Sequence, residues 1–395
     1  MQFVEIKDLK PGMRLAKPIY NKMGVMLYDR NSFLTMSGIK SIENFGLIGL
    51  FTLEPAEPLP PISQEDLEFE QFQVIYMFRI KEIMEQLQRG KEPTGLPALT
   101  ADILKNFGSV DHKLNFIQTL RSSADFVYKH SICTAILSAM TSNIMNFNAA
   151  EKNILVTAAL LYDLGYLYVP RTLLEKDEIA EDDLHIIQEC RRKGFQLLDP
   201  ETNKYMLHTE VLNVIQQTLT MLSIKDPAEF REKKFSKLAH VIMVTDKFNQ
   251  LTAMNLHHVP LSEMSAIRFL KESPDFYQPK TVSALSSSIH ILPNGCSIDL
   301  SNGDKGIVLM ENSMNFLAPV VLNIRDNQIY DLSDPKVAEH LQIADIMKTM
   351  DNRIVVDEET LKQFSSDSKL QNALAIFRQK FREKNQRMAN ANPKA

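Results

Sequence analysis

The period of apolar positions changes three times along the chain. Over residues 1–53 short apolar runs alternate with turn residues. Val4, Ile6 and Leu9 lead into Lys10-Pro11-Gly12-Met13, Leu15 to Tyr20 reads as a strand carrying a proline, and Val25 to Tyr28 follows Gly24 as a second strand. Met36, Ile39, Ile42 and Phe45 have helical spacing and stop at Gly46, and Ile48 to Leu53 returns to strand. This predicts a small β-rich domain over 1–53.

Residues 54–61 hold four prolines, which rule out a helix and predict an extended linker over 54–64. From Glu65 the period is helical. Phe72, Ile75, Tyr76, Ile80, Ile83, Met84 and Leu87 form one stripe that ends at Gly90. Further helices are predicted over 97–107, 111–121, 124–146, 149–163, 180–198, 207–222 and 234–254. Asn148 with Glu151 reads as a capping box for one of them. Together they predict an all-α domain over 65–282.

Strand patterns return over 283–345. Ile289 to Leu292, Ser297 to Leu300, Gly306 to Met310, Val320 to Ile324 and Gln328 to Tyr330 are separated by turn sequences such as Pro293-Asn294-Gly295. The tail, 346–395, shows one helical stripe, Leu370, Leu374, Phe377 and Phe381, flanked by basic residues. Packing on its own domain or self-association into a homodimer is expected for it. The fold class is mainly α: an all-α helical domain between a small N-terminal β-rich domain and a small C-terminal β module.

Composition narrows the function classes. Apolar residues make up 44% of the chain and charged residues 24%, enough to bury a core. A net charge of −5 argues against binding nucleic acid, which needs a basic footprint. The longest apolar run, Ile154 to Tyr162, is far short of the roughly 20 residues of a membrane span, and the first residues lack a signal pattern, so a cytoplasmic protein is expected. Cys133, Cys190 and Cys296 form no CxxC and are read as reduced, packed thiols.

The candidate chemistry lies in three residues of the helical region. His130 stands in one predicted helix and Asp163 at the end of the next, in Leu161-Tyr162-Asp163-Leu164-Gly165. Asp246 lies in Val244-Thr245-Asp246-Lys247-Phe248-Asn249-Gln250-Leu251-Thr252. A divalent metal that lowers the pKa of water from about 16 towards 7 needs His and Asp side chains converging in this way. Read plainly, the same residues are a buried His–Asp hydrogen bond joining two helices.

In order and spacing the chain resembles the HD-GYP branch of the HD superfamily, whose members hydrolyse cyclic di-GMP at a site holding two or three iron or manganese ions. The resemblance spans roughly 120–275. Leu9-Lys10-Pro11-Gly12-Met13 and Leu292-Pro293-Asn294-Gly295 resemble segments that often precede and follow that domain. It implies that His130, Asp163 and Asp246 are family ligands. It also places Tyr162 where the family has the His of His-Asp, Cys190 near the next ligand His, and Gln216 and Gln217 at the His-His-Glu motif. No Gly-Tyr-Pro follows, and Asn249 replaces the second aspartate of the last motif.

A phenol with a pKa of about 10 is a poor ligand beside an imidazole. The resemblance therefore implies a vestigial site with no catalytic residues and no expected cofactor. Iron or manganese would sit on His130, Asp163 and Asp246 only if a metal is retained. The expected function is a catalytically inactive signalling or scaffolding protein that works through a protein partner and is linked to cyclic di-GMP. The alternative is a residual metal-dependent phosphodiesterase. His208 and the pair His257-His258 are weaker candidates, read as a polar neighbour of the missing motif and a solvated loop.

Overall fold

The computed structural model describes residues 2–43, 49–53, 63–116, 118, 121, 124–174, 176, 180–198, 207–253, 260–312 and 315–346. Nearly all of the expected linker, the His257-His258 pair and the helical tail beyond residue 346 lie outside the described residues. The chain divides into two compact units, Met1–His290 and Ile291–Ala395.

The first unit opens with short strands, β1 (Gln2–Glu5), β2 (Arg14–Leu15), β3 (Ile19–Tyr20) and β4 (Met26–Tyr28). Helix α1 (Met36–Glu43) and strand β5 (Gly49–Leu53) follow. The strands pair antiparallel in the order β1-β5-β2, with β3-β4 as a separate hairpin. The expected strand over Leu15 to Tyr20 is split in two around Pro18, which has no N–H to donate to a ladder. Leu15, Ile19, Leu34, Ile39, Ile42 and Leu50 form the local core.

The helical part runs α2 (Gln64–Gln88), α3 (Leu96–Phe107), α4 (Phe126–Ile144) and α5 (Ala149–Leu161), then a 3-10 turn (Leu164–Tyr168) and α6 (Arg171–Leu174). It continues with α7 (Glu181–Gln196), α8 (Thr209–Ser223), α9 (Pro227–Glu232), α10 (Lys237–Thr252), α11 (Glu263–Glu272) and α12 (Pro279–Ser288). The capping box at α5 is present: Asn148 Oδ1 accepts from the Glu151 amide at 3.0 Å, and Glu151 returns the bond at 3.1 Å. The α2 stripe buries Phe69, Tyr76, Ile80, Ile83, Met84 and Leu87. α4 is buried on nearly every face from Val127 to Ser142, because α2, α5, α10 and α12 surround it.

The helix expected over 111–121 is not formed across 111–116. Leu114 and Phe116 are buried and Asn115 between them is not, a period of two. Leu114 makes a parallel bridge with Ile289, and the His290 amide donates to the Leu114 carbonyl at 2.9 Å. The strand expected over Ile289 to Leu292 is reduced to that bridge. α9, α11 and α12 fall outside the helices expected from the apolar pattern.

The second unit is a five-stranded antiparallel sheet in the order β10-β6-β7-β8-β9. Its strands are β6 (Ser297–Leu300), β7 (Lys305–Met310), β8 (Val320–Asn323), β9 (Gln328–Asp331) and, after the short α13 (Pro335–Ala338), β10 (Ile343–Ile346). The first four match the expected hairpin series. β10 pairs with β6 and was not expected. Among the described residues, no helix is long and apolar enough to cross a membrane.

Candidate functional site

Three central helices and one tight turn bring the candidate residues together. His130 comes from the middle of α4, Tyr162 from the C-cap of α5, and Asp163 from the residue opening the 3-10 turn. Asp246 comes from α10. All four are almost completely excluded from solvent. One ligand-type atom each of His130, Asp163 and Asp246 lies within 4.8 Å of the others, and among the described residues this is the one such cluster.

The cluster is closed by hydrogen bonds. His130 Nε2 lies 2.8 Å from Asp246 Oδ1, and the Tyr162 hydroxyl donates to the same oxygen at 2.6 Å. Gln250 Nε2 donates to both Asp246 oxygens, at 3.1 and 2.9 Å. On the other side of the ring, Arg121 Nη1 and Asn249 Nδ2 each lie 3.1 Å from His130 Nδ1. A guanidinium can only donate, so Nδ1 is the acceptor and Nε2 carries the proton given to Asp246. The Asn249 amide is oriented by the same logic. Its oxygen accepts from Arg121 Nη2, and its nitrogen donates to the His130 carbonyl at 3.0 Å and to Thr134 at 2.9 Å.

Asp163 pairs with Arg191, on α7, whose Nε donates to Oδ1 at 3.0 Å. Its second oxygen, Oδ2, has no hydrogen-bond partner and lies 3.6 Å from His130 Nε2. Aromatic rings wall the cluster. Phe126 stacks on His130 at 5.4 Å, the Arg121 guanidinium lies over Phe126, and that of Arg191 lies over Tyr166 at 5.2 Å.

Burial sets the electrostatics. It pushes the Asp163 carboxyl up, against the pull of Arg191. It would also raise Asp246, but the hydrogen bonds from His130 and Tyr162 and the nearby Arg191 charge together hold that carboxyl below its ordinary value. Tyr162 is driven well above 10 by burial and by both carboxylates, so it remains a neutral donor. For Arg191, burial alone would lower the pKa, but Asp163, Tyr166 and Asp246 raise it above the ordinary value.

The remaining expected residues lie elsewhere. The Cys190 thiol packs with Val169, Leu173 and Ile187, donates to the Tyr168 carbonyl at 3.4 Å, and is pushed up by burial away from the thiolate form. Gln217 accepts from the Ser236 amide at 2.7 Å beside the start of α10, and Gln216 is exposed. His208 caps α8 and is exposed. None of the four joins the cluster. Four residues missing from the expected set do: Arg121, Arg191, Asn249 and Gln250. The arginines belong to no metal-ligand spacing, and Asn249 stands out in the sequence only as the loss of a motif aspartate, not as a donor to His130.

Three donors converge, the number of protein ligands in a typical open catalytic metal site. Two of them, His130 Nε2 and Asp246 Oδ1, are bonded to each other, and the third belongs to a carboxylate already paired with a guanidinium. A metal on His130 Nε2 would require its proton to move to Nδ1, where two N–H donors already point. As arranged, the residues do not fit a metal pair.

Residues 127–251 match the HD domain family. Cyclic di-GMP phosphodiesterase PA4108 of Pseudomonas aeruginosa is 20% identical over 249 residues, which cover 63% of this chain and 59% of that protein. Cyclic di-GMP phosphodiesterase PdeB of Borreliella burgdorferi is 33% identical over 76 residues, 19% of this chain and 20% of that one. The chain thus spans about three fifths of the first relative's length and a fifth of the second's. The solved structure of Bd1817, a HDG"Y"P protein from Bdellovibrio bacteriovorus, covers 72% of this chain and 97% of its own, at 13% identity and a TM-score of 0.41.

Proposed function

From the HD domain at residues 127–251 we propose a non-hydrolytic signalling module, linked to cyclic di-GMP and acting through a protein partner. The single observation that carries this reading is the engagement of both ring nitrogens of His130. Nδ1 accepts from Arg121 and Asn249, and Nε2 donates to Asp246. An imidazole so held offers no lone pair to a metal. Tyr162, in the position of a family ligand, works in the same direction: it is a neutral phenol that spends its proton on Asp246. The link to cyclic di-GMP is carried over from the two phosphodiesterases named above.

One observation favours a second reading, a residual metal-dependent phosphodiesterase with a single iron or manganese ion. The unpartnered Asp163 Oδ2 is a buried carboxylate oxygen with capacity to spare.

The test is metal content per chain by mass spectrometry, after anaerobic purification with iron and manganese supplied, followed by a cyclic di-GMP turnover assay. The expected result is metal far below one ion per chain and no turnover. One or two tightly held ions together with turnover would establish the second reading.

A further inference from the structure

Asp163 and Asp246 place two negative charges in a volume from which water is nearly excluded. Two buried carboxylates without a cation would cost several kcal/mol each, so a folded cluster of this kind needs positive charge nearby. Two arginines provide it. Arg191 is bonded directly to Asp163, with 12% of its side chain exposed. Arg121 is 1% exposed and acts through one intermediary: it donates to His130 Nδ1, and His130 Nε2 donates to Asp246. The Arg121 guanidinium is held by Gln118 Oε1 at 3.1 Å and by Asn249, and both of those side chains are themselves buried. The formal charge is two negative and two positive with no ion added.

We infer that Arg121 and Arg191 are the resident cations of this cluster and fill the electrostatic place that divalent metal would fill in an HD domain. The inference deepens the non-hydrolytic reading and rests on it. A guanidinium stays protonated in proteins and is covalently attached, so no chelator removes it. Arg191 is the closer of the two, and its removal leaves Asp163 with its positive partner gone and both oxygens free.

The test uses the full chain, freed of metal with EDTA, and reads the melting temperature with and without millimolar Mn2+. Arg191→Met is expected to lower the Tm of the wild type by roughly 5–10 °C, the effect of removing one partner of a buried pair. Adding Asp163→Asn to it should recover much of that loss without metal. Mn2+ should stabilise Arg191→Met, by roughly 5 °C near saturation, and leave the wild type and the double variant unmoved. If Arg191→Met does not fold, a folded double variant reports the same coupling. The inference is overturned if the double variant is no more stable than Arg191→Met, if neither folds, or if Mn2+ stabilises wild type and variant alike. A wild-type chain that purifies with metal and hydrolyses cyclic di-GMP would sink the non-hydrolytic reading instead. Absence of coupling in a metal-free, inactive wild type would sink this inference alone.

Discussion

Gly165 and Gly194 meet backbone to backbone. A Cβ added to Gly194 would overlap the amide nitrogen and Cα of Gly165, and one added to Gly165 would overlap the Cα of Arg191 and the carbonyl of Cys190. Neither glycine has a positive φ, so space and not backbone freedom is what requires them. Their contact lets the 3-10 turn after α5 lie directly on α7, and this puts Arg191 against Asp163.

Gly194→Ala is therefore expected to destabilise by at least the 1–3 kcal/mol typical of overpacking, because the obstructing atoms are backbone and cannot swing aside. Thermal denaturation checks this. Gly95→Ala is the control: its added Cβ would meet Ile83 at 3.6 Å, an ordinary contact. Equal melting temperatures for Gly194→Ala and the control would refute the close approach.

Tyr162 gives the second prediction. Its hydroxyl is a donor to a buried carboxylate, so Tyr162→Phe should cost about 1–3 kcal/mol, read from a urea midpoint at neutral pH. Tyr162→His places an imidazole where the resemblance to the HD-GYP family implies a His. It is expected to give no cyclic di-GMP turnover, because Arg121 and Arg191 remain in place. Turnover in that single variant would show that the phenol alone separates this chain from an active enzyme.

His130, Asp163 and Asp246 are legible in the sequence because each is a polar residue set in a strongly apolar helix or at its end, at the spacing of a known family. Arg121 is not legible. It sits in a stretch read as helix, and its burial depends on residues 118, 130 and 249 converging from separate segments. Arg191 is masked by its neighbours: Arg191-Arg192-Lys193 reads as a solvated basic face. The available signal was its position three residues before Gly194, which puts both on one side of the helix. The failed helix over 111–121 has a similar cause, since Leu114 and Phe116 alternate in burial against a bridge to Ile289 more than 170 positions away.

The β-rich N-terminal segment is tied to the helices by a partly buried ion pair. Lys17 Nζ lies 2.6 Å from Glu70 on α2, and the Glu70 side chain is only 9% exposed. Beside it, Gln71 donates to the Gly24 carbonyl and Ile75 packs against Gly24. Lys17→Met leaves Glu70 buried without its partner and should loosen this segment before the helical core melts. Limited proteolysis checks it. Cleavage within residues 1–53 is expected to speed up severalfold in Lys17→Met and to return towards the wild-type rate in Lys17→Met with Glu70→Gln. An unchanged pattern in both would mean that apolar packing alone holds the segment.

His240, on α10, is buried between Phe230 and Phe235, with ring centroids at 6.2 and 6.3 Å, and its Nδ1 has no hydrogen-bond partner. Burial lowers its pKa below the ordinary 6.5. The unfolded chain therefore binds this proton more readily than the folded one, and stability must rise with pH wherever the two states differ. The contribution of neutral His240 is complete above about pH 6.5 and is lost as pH falls from there through its lowered folded value. His112 acts with the opposite sign. Glu65 and Asp111 raise its pKa, so its pairing stabilises below 6.5 and fades above the raised value, weakly because the ring is mostly exposed. A bare pH profile mixes the two, and the comparison that isolates His240 is wild type against His240→Phe, which keeps the aromatic packing. Urea midpoints at pH 7.5 and 5.5 should show the variant losing less stability than the wild type on acidification. Parallel losses would mean that the His240 proton is accommodated in the folded protein without cost.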